Sequence, residues 1–591
     1  MSENVSLSPH IVWTGRAMAG LFAVAAFSQI KLQTVERKHT LELADKTKRF
    51  TSTRVDPARR GSIFSRDGKP LAQDEDSFDL NVQFDKVPKS EAFFMALASA
   101  SGIPASEFQT LSESGEKQRS WRQPMSAAQF AEVDNLKTEW RADGVSCART
   151  GRRTYPLGEA ASCLVGFVQE KKPILGLEKS QWSLLEGQNG FKSGLTDKHG
   201  AFLPTRLDKK STDRKDGANV TITIDSDLQA VASQAIRQAV ESNKAENGVA
   251  LVMDPRTGDV LAMANWPSFA PNLPDGSEGD LKGNSGYNPS YMAQLEPGST
   301  FKILTLAKGL DTGKVRMDDI IHCPGEYHPT PKTRIRCDNH HGNRAHGDVT
   351  PTTAISRSCN VAAATWALRV GRDDFMQYVR DLGLLSRSNL GVPQQAHGNF
   401  NYAEPSKILQ LATVGFGQSI TCTPVTLLGA FSMLANDGKS VTPRLIKKIG
   451  NVETTIAPSK PVIRPETASE VLSCMEAVIE SDAGTGKELR IPGYRLGGKT
   501  GTAQKVGKGM KGYVSNFVGF VPADHPQAAI LVMVNNPTGG KYYGATVAGP
   551  AFKRLAQEVI RRFRIPPSDP NAVLSHKSSG TIAQAETSSH Q

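Results

Sequence analysis

The chain reads Glu296-Pro297-Gly298-Ser299-Thr300-Phe301-Lys302 at the point where a helical pattern begins. The apolar residues that follow, within residues 303–310, recur on one helical face. Because Pro297-Gly298 ends the preceding segment, Ser299 falls at the helix start and Lys302 lies one turn later on the same side. A serine hydroxyl needs an adjacent base to attack, and a desolvated neutral lysine can supply it. The stretch therefore predicts Ser299 as a nucleophile with Lys302 as its base.

A second element, Ser358-Cys359-Asn360, directly precedes an apolar helical stretch at residues 361–368. A serine hydroxyl and an asparagine amide in this place could relay a proton and orient a substrate amide. The alternative is a purely structural helix N-cap, which serine favours strongly.

The third element is Gly498-Lys499-Thr500-Gly501-Thr502. Lys499 offers a positive charge for a substrate carboxylate, and the hydroxyls of Thr500 and Thr502 can hydrogen-bond the same group. Gly501 allows another backbone to approach closely. The pattern predicts an anion-binding strand.

Residues 493–500 also match the phosphate-binding pattern G-x-x-x-x-G-K-[ST]. That loop needs a buried strand before it and a helix after it. The preceding residues do not form an apolar strand pattern, and four glycines between positions 501 and 512 disfavour a helix. The context therefore argues against a nucleotide site.

Alternating and helical patterns surround the three elements. The sequence predicts strands at residues 220–224, 248–253, 260–264, 517–521 and 528–534, and helices after Asp225 or Asp227 and at residues 548–563. A turn at residues 254–258 joins two of the strands into a hairpin. Strands early and late with helices between them predict an antiparallel sheet flanked by a helical region.

The length of 591 residues predicts two or more domains. The polar residues 32–215 contain scattered strand patterns, a charged stretch at 208–217 predicts a boundary, and the residues from Pro566 onward predict disorder. The net charge of +11 suits anionic partners such as wall polymer or lipid headgroups, and no concentrated basic tract favours nucleic acid.

The N-terminal residues 11–30 are mostly apolar but contain Arg16. The uninterrupted part, residues 17–30, is short for a membrane span and near the length of a signal peptide. An anchor and a cleaved signal would both export the remainder, and a buried N-terminal helix is the alternative.

Together and in this order, Ser299-x-x-Lys302, Ser358-x-Asn360 and Lys499-Thr500-Gly501 resemble the motifs of penicillin-binding proteins and serine β-lactamases. Further matches point to the class B transpeptidases. They are Arg60-Gly61-x-Ile63, Arg66-Asp67-Gly68, Arg153-x-Tyr155-Pro156, Gly176-Leu177-Glu178, Thr223-Ile224-Asp225 and Gly415-Phe416-Gly417-Gln418. The resemblance covers roughly residues 58–560.

This resemblance implies an α+β fold in which a five-stranded antiparallel sheet with helices follows an extended β-rich pedestal. It implies a cytoplasmic tip and transmembrane anchor at 1–31, a pedestal at 32–215, a transpeptidase domain at 216–565 and a disordered tail at 566–591. The protein would then be a single-pass protein of the cytoplasmic membrane, with its catalytic domain outside the cytoplasm.

The resemblance also implies the chemistry. Lys302 would take the proton of Ser299, which attacks the D-Ala-D-Ala amide of a peptidoglycan stem peptide. The backbone N–H groups of Ser299 and Thr502 would form the oxyanion hole. Ser358 would pass a proton to the leaving D-Ala, and an amine of a second stem peptide would resolve the acyl-enzyme. Lys499, Thr500 and Thr502 would hold the terminal carboxylate, and β-lactams would enter the same site.

No metal or organic cofactor is implied by the resemblance, and no nucleic acid. The expected partners are peptidoglycan stem peptides, β-lactam antibiotics, the membrane, a membrane glycan polymerase and other divisome proteins. Elongation-type relatives usually carry Asp where this chain has Asn360, so septal wall synthesis is favoured over an elongation or sporulation role. A hydrolase of the same family and a non-catalytic β-lactam sensor or scaffold are the rival functions.

A cluster of Cys and His residues precedes Ser358 and is not explained by these motifs. It comprises His322, Cys323, His328, Cys337, His340, His341 and His346. Cys337 and His340 have a spacing typical of zinc ligands, and an exported domain could equally pair Cys323 with Cys337 in a disulfide. A third possibility is that these residues form neither a zinc site nor a disulfide.

Overall fold

The computed structural model describes residues 9–39, 42, 51–56, 58–169, 172–196, 202–207, 211–272, 281, 283–331, 333–338, 344–400, 407–504 and 512–569. These residues group into two compact units, one drawn from residues 1–60 and 186–217 and the other from residues 61–185 and 218–591. The tail predicted to be disordered lies outside the described residues from position 570 onward.

Residues before position 216 form both helices and strands. The helices described there are α1 (Pro9–Thr34), α2 (Glu91–Ser101), α3 (Ala105–Glu113), α4 (Ala127–Glu139), α5 (Ser162–Val165), α6 (Gly176–Ser180) and α7 (Trp182–Leu185). The strands described there are β1 (Thr51–Asp56), β2 (Ile63–Phe64), β3 (Pro70–Gln83), β4 (Gln118–Met125), β5 (Val145–Thr154), β6 (Val168–Gln169), β7 (Lys172–Pro173), β8 (Gly190–Thr196) and β9 (Phe202–Leu207).

Residues from position 216 onward form the remaining elements. The described helices are α8 (Ser226–Ser242), α9 (Pro289–Met292), α10 (Phe301–Asp311), α11 (Pro351–Ser356), α12 (Asn360–Val370), α13 (Arg372–Asp381), α14 (Lys407–Val414), α15 (Pro424–Ser432), α16 (Pro465–Glu480), α17 (Gly544–Val547) and α18 (Gly549–Phe563). The described strands are β10 (Val220–Ile222), β11 (Asn247–Met253), β12 (Val260–Trp266), β13 (Ile321–Cys323), β14 (Glu326–Thr330), β15 (Thr333–Arg336), β16 (Gly347–Val349), β17 (Ile446–Ile449), β18 (Val452–Glu453), β19 (Gly497–Gln504), β20 (Tyr513–Val521) and β21 (Ala528–Asn535).

The first unit contains helix α1 and a three-stranded antiparallel sheet in the order β1-β8-β9. The apolar segment predicted as an anchor lies within α1. Within the part of the chain that the structure describes, no helix has both the length and the apolar character of a membrane span.

The second unit contains a seven-stranded mixed sheet with the order β18-β17-β10-β2-β3-β4, in which β5 also pairs with β3. Strand β10 runs parallel to β2, with Val220 opposite Ile63, and its other neighbour β17 is antiparallel. The sheet therefore joins strands from both sides of residue 216.

A buried ion pair organises this sheet. Arg153 on β5 donates from Nε to Glu178 at 2.8 Å and from Nη1 to Asp74 at 3.0 Å. Its Nη2 also donates to the carbonyl of Gly61 at 2.9 Å. The Glu178 side chain is fully buried, and its charge raises the pKa of Arg153 against the opposing effect of burial. Two motifs of the resemblance, at Arg153 and at Glu178, thus meet in one contact.

Helices α2, α3 and α4 were not expected from the sequence, which predicted only strand-like pieces in this region. Ser90 caps α2 by accepting from the Phe93 N–H, and Ser126 forms a capping box with Gln129 at the start of α4. Phe93 and Phe108 are buried in a small core of their own beside β4. The capping residues Ser90 and Ser126 were the signal for α2 and α4, whereas α3 has no side-chain cap.

The predicted antiparallel sheet is confirmed, with five strands in the order β12-β11-β21-β20-β19. Side chains of β11 alternate between two cores, as the two-residue repeat of a strand requires. Ala250 and Val252 pack with α8 and α18, whereas Leu251 packs in the larger core with α10, α15 and α16. Asp225, one of the two predicted caps, accepts from the Leu228 N–H at the start of α8. Strand β19 forms the edge.

We predict that Glu178→Ala lowers the free energy of unfolding of the second unit by about 3 kcal/mol, because it removes the buried carboxylate and leaves the Arg153 guanidinium with the partly exposed Asp74 and the Gly61 carbonyl. Urea unfolding followed by circular dichroism measures this change. Arg316→Ala is the control, since its pair with Asp318 is largely exposed and should leave the midpoint unchanged. Equal midpoints for both variants would contradict the structural role of the Arg153–Glu178 pair.

Candidate active site

The turn before α10 presents Ser299. A 3-10 turn at Gly298–Thr300 leads into the helix, and Ser299 is 9 % exposed. Gly298 has a φ of +59°, and a Cβ at this position would lie 3.0 Å from the Cβ of Ala503 on β19. Its N–H donates to the carbonyl of Gly417 at 3.0 Å. The conformation and the crowding both require glycine immediately before the predicted nucleophile.

Two further residues brace this turn. Gly417 has a φ of +79°, and a Cβ there would overlap the carbonyl oxygen of Gly298. Asn516 on β20 donates from Nδ2 to the carbonyl of Pro297 at 3.1 Å. Gly501 lies directly opposite Asn516, and a Cβ at Gly501 would overlap the Oδ1 of that side chain. The sequence did not single out Asn516, because the residues that it contacts lie far away along the chain.

Ser358 meets both lysines of the motifs. Lys302 donates from Nζ to the Ser358 carbonyl at 2.6 Å and to Ser358 Oγ at 3.0 Å. Lys499 donates from Nζ to the same Oγ at 2.9 Å. A hydroxyl oxygen has two lone pairs, so Ser358 can accept from both amines and still direct its own proton elsewhere. The three predicted elements therefore converge on one hydroxyl group.

Both amines are completely buried. Burial lowers the pKa of Lys302, and the nearby Asp338 opposes this effect. Burial together with the neighbouring charge of Lys302 holds the pKa of Lys499 well below its ordinary value. Two ammonium groups around one hydroxyl repel each other, so the pair is more stable with one proton fewer. A neutral lysine is what the predicted base requires.

The Ser358 backbone is in the left-handed region, with a φ of +58°. It lies between α11 and α12, and Cys359, rather than Ser358, caps α12 by accepting from the Ala362 N–H at 3.4 Å. Non-glycine residues in this conformation are uncommon and occur often at functional sites. Asn360, predicted to orient substrate, donates from Nδ2 to the carbonyl of Arg336 at 2.7 Å. Its amide therefore connects α12 to the end of β15.

Residues Lys499 to Thr502 lie on the edge strand β19. Thr500 Oγ1 is 3.2 Å from Thr485 Oγ1, and Thr502 Oγ1 accepts from the Gly544 N–H at 3.2 Å. An edge strand presents backbone groups to an extended peptide. The same residues form a strand instead of a loop entering a helix, so the phosphate-binding pattern is a chance match.

A cavity of about 510 Å³ opens at this point. Four of the predicted residues line it, namely Ser299, Ser358, Thr500 and Thr502. Charged and polar groups at its rim include Asp338, His346, Arg357, Asp482, Lys487 and Glu488. The arrangement brings serine hydroxyls, buried amines and an edge strand to one cavity, and acyl transfer needs groups of these kinds.

Comparison with known families agrees with this geometry. Residues 248–557 match the penicillin binding protein transpeptidase domain, and residues 55–222 match the penicillin-binding protein dimerisation domain.

Among curated relatives, the probable peptidoglycan D,D-transpeptidase PenA of Neisseria meningitidis is 28% identical over 564 residues, covering 94% of this chain and 93% of the relative. The peptidoglycan D,D-transpeptidase FtsI of Escherichia coli is 30% identical, covering 74% of this chain and 73% of the relative. The stage V sporulation protein D of Bacillus subtilis is 29% identical, covering 86% and 79% respectively.

Among solved structures, penicillin binding protein 3 of Mycobacterium tuberculosis in complex with aztreonam aligns with a TM-score of 0.66 and 25% identity. The alignment covers 88% of this chain and 99% of the solved one. The two matched domains agree with the named relatives and with this fold. The chain therefore belongs to the penicillin-binding protein transpeptidase family and, with its dimerisation domain, to the class B penicillin-binding proteins.

Proposed function

We propose that this protein is a serine D,D-transpeptidase that cross-links peptidoglycan stem peptides through an acyl-enzyme on Ser299. The observation that carries the proposal is the Ser358 hydroxyl, which accepts from Lys302 and Lys499 beside a cavity lined by Ser299. PenA and FtsI carry the name of this activity. The two buried amines supply a base and a fixed positive charge within one cleft.

Acylation begins when neutral Lys302 takes the proton of Ser299 Oγ, which attacks the carbonyl carbon of the penultimate D-Ala. The C–N bond to the terminal D-Ala breaks, and Ser358 passes a proton to the leaving nitrogen from the lysine pair. In the second step, the amine of another stem peptide attacks the ester carbon and Ser299 recovers its proton. Neither of these two steps requires a metal or an organic cofactor.

The edge strand β19 positions the donor peptide in this proposal. Protonated Lys499, with the hydroxyls of Thr500 and Thr502, binds the terminal carboxylate. The backbone N–H groups of Ser299 and Thr502 stabilise the oxyanion that forms on the attacked carbonyl. Gly501 allows this strand to lie against Asn516, which contacts the start of the turn Gly298–Thr300 that carries Ser299, here called the nucleophile turn. Asn360 serves indirectly, by fixing the start of α12 to β15.

We also propose a cellular role and a location for the enzyme. Septal wall synthesis is favoured by Asn360 and by the similarity to FtsI, with a membrane glycan polymerase and other divisome proteins as partners. Residues 1–31 would form a cytoplasmic tip and a single membrane anchor, 32–215 the pedestal, and 216–565 an extracytoplasmic catalytic domain. β-Lactams, of which aztreonam is bound in a solved relative, would acylate Ser299.

We predict that Ser299→Ala abolishes covalent labelling by a fluorescent penicillin, because the attacking oxygen is removed. Gel fluorescence of the native chain and the variant measures this. Ser114→Ala is the matched control, since Ser114 and Lys117 repeat the same spacing at an exposed site and the variant should label fully. Equal labelling of the Ser299 variant would place the nucleophile elsewhere.

The pH dependence of acylation should be bell-shaped. Loss of the first proton from the buried lysine pair frees a base, so the rate rises with pH at values below the ordinary lysine pKa of 10.5. Loss of the second proton removes the charge that binds the carboxylate, so the rate then falls. Asp338 faces both amines and opposes the lowering of both pKa values, whereas Cys323, Cys337 and Cys359 face Lys302 and oppose the lowering of its pKa alone.

Stopped-flow rates of penicillin acylation across pH measure this profile. In Lys499→Arg the guanidinium keeps its proton, so the falling limb should disappear while the rising limb remains. If the acylation rate of the native protein rises only near the ordinary lysine pKa, burial does not lower the pKa of the catalytic amines as we expect.

Asn516→Ala should slow acylation about ten-fold, or about 1.4 kcal/mol in the activation barrier, because the carbonyl of Pro297 loses its donor and the nucleophile turn loses its brace. Asn535→Ala is the control, since this buried asparagine on the neighbouring strand donates to Glu246 instead. An unchanged rate in the Asn516 variant, with thermal stability equal to that of the control, would show that the turn does not need this contact.

A further inference from the structure

Four side chains converge next to the cavity, in the cluster for which the sequence left alternatives open, and one of them, His346, lines the cavity itself. They are Cys323, Cys337, His346 and Cys359, and their ligand atoms all lie within 4.8 Å of one another. We propose that these four residues bind one zinc ion, in a closed structural site that positions the Ser358 turn. The proposal does not depend on the transpeptidase chemistry.

Three of the distances between the ligand atoms match those of a tetrahedral site. Cys337 Sγ lies 3.6 Å from Cys323 Sγ and 3.8 Å from Cys359 Sγ, and His346 Nδ1 lies 3.6 Å from Cys323 Sγ. Zinc bonds of about 2.3 Å to sulfur and about 2.0 Å to nitrogen, at tetrahedral angles, place ligand atoms about 3.8 Å and about 3.6 Å apart. The set therefore already surrounds a position for the ion.

A disulfide fits this arrangement less well. All seven cysteines of the chain are free in the structure, and Cys337 has two sulfur neighbours at almost equal distances. Pairing Cys323 with Cys337 would leave the Cys359 thiol and the His346 imidazole facing the pair without a function. Three thiolates and one imidazole form a ligand set typical of structural zinc, with every coordination position filled by protein.

The surroundings hold the ligands in place. The three cysteines are buried, and the Cys359 sulfur accepts the N–H of Ala362 at the start of α12, which fixes the direction of this side chain. Backbone N–H groups of Cys337 and His346 donate to the carbonyls of Gly325 and Cys323. Arg344 donates from Nη1 to the Cys337 carbonyl at 2.8 Å. Such contacts around the ligands fix their orientation.

The ion would tie together four separate pieces of chain. Cys323 ends β13, Cys337 follows β15, His346 precedes β16 and Cys359 caps α12. Cys359 is the residue after Ser358, whose left-handed backbone needs a support that the local sequence does not supply. Fixing Cys359 to β13 and β15 therefore fixes Ser358 between the two lysines. His340 and His341, which the sequence also suggested, lie outside the described residues.

Metal analysis of the purified full chain tests this proposal. Plasma mass spectrometry should find about one zinc per chain, and alkylation after denaturation in a chelator should modify all seven cysteines. X-ray absorption at the zinc edge should show three sulfur ligands and one nitrogen ligand. Chains with all thiols free but no bound zinc, chains with only five reactive thiols, or a zinc spectrum of oxygen ligands would each overturn the proposal.

Variants separate the site from general folding. Cys337→Ser should lose most of its zinc, whereas Cys422→Ser, which removes a buried thiol outside the cluster, should keep it. If the Cys337 variant is insoluble, chelator treatment of the native chain followed by thermal unfolding gives the second readout. Release of zinc should lower the melting temperature, and addition of zinc should restore it. An unchanged melting temperature after complete removal would contradict a structural ion.

Discussion

The Ser358 hydroxyl, held between two buried amines, is the interaction on which the rest of the site depends. Lys302 reaches it from α10 and Lys499 from β19, so one oxygen atom connects the helical region to the sheet. Neither amine is exposed to solvent, and a positive charge on one amine disfavours a positive charge on the other. A site built in this way keeps a proton ready to move and a positive charge in place for an anionic group.

The nucleophile turn is positioned by close backbone contacts rather than by side-chain hydrogen bonds alone. Gly298, Gly417 and Gly501 each occupy a place where a Cβ would collide with a neighbouring segment. Asn516 completes the arrangement by joining β20 to Pro297. The glycine motifs of the sequence therefore act together at one point, although they are separated by many residues. A zinc ion at the four-residue cluster would give the Ser358 turn an equivalent support from the opposite side.

The sequence predicted the antiparallel sheet, the cap of α8 and four of the residues that line the cavity, because strand alternation and short motifs are local properties. It did not predict helices α2 to α4, because the start of α2 and of α4 is marked by one serine each and the start of α3 has no side-chain cap. It also missed Asn516, and for Cys337 it left open a zinc site with His340, a disulfide with Cys323, or neither. The grouping with His346 and Cys359 follows from the folding of β13, β15 and α12 around one point, which spacing alone does not encode.

Peptide mapping of the acyl-enzyme tests the central claim most directly. The full chain would be treated with a depsipeptide or thioester analogue of the stem peptide, quenched with acid and digested with trypsin. We expect an acyl group on the peptide that contains Ser299 and ends at Lys302. The peptide that begins at Ser358 should stay unmodified. An adduct on Ser358, or an unmodified Ser299 peptide in a chain that turns over the analogue, would contradict the assignment of these two hydroxyl groups.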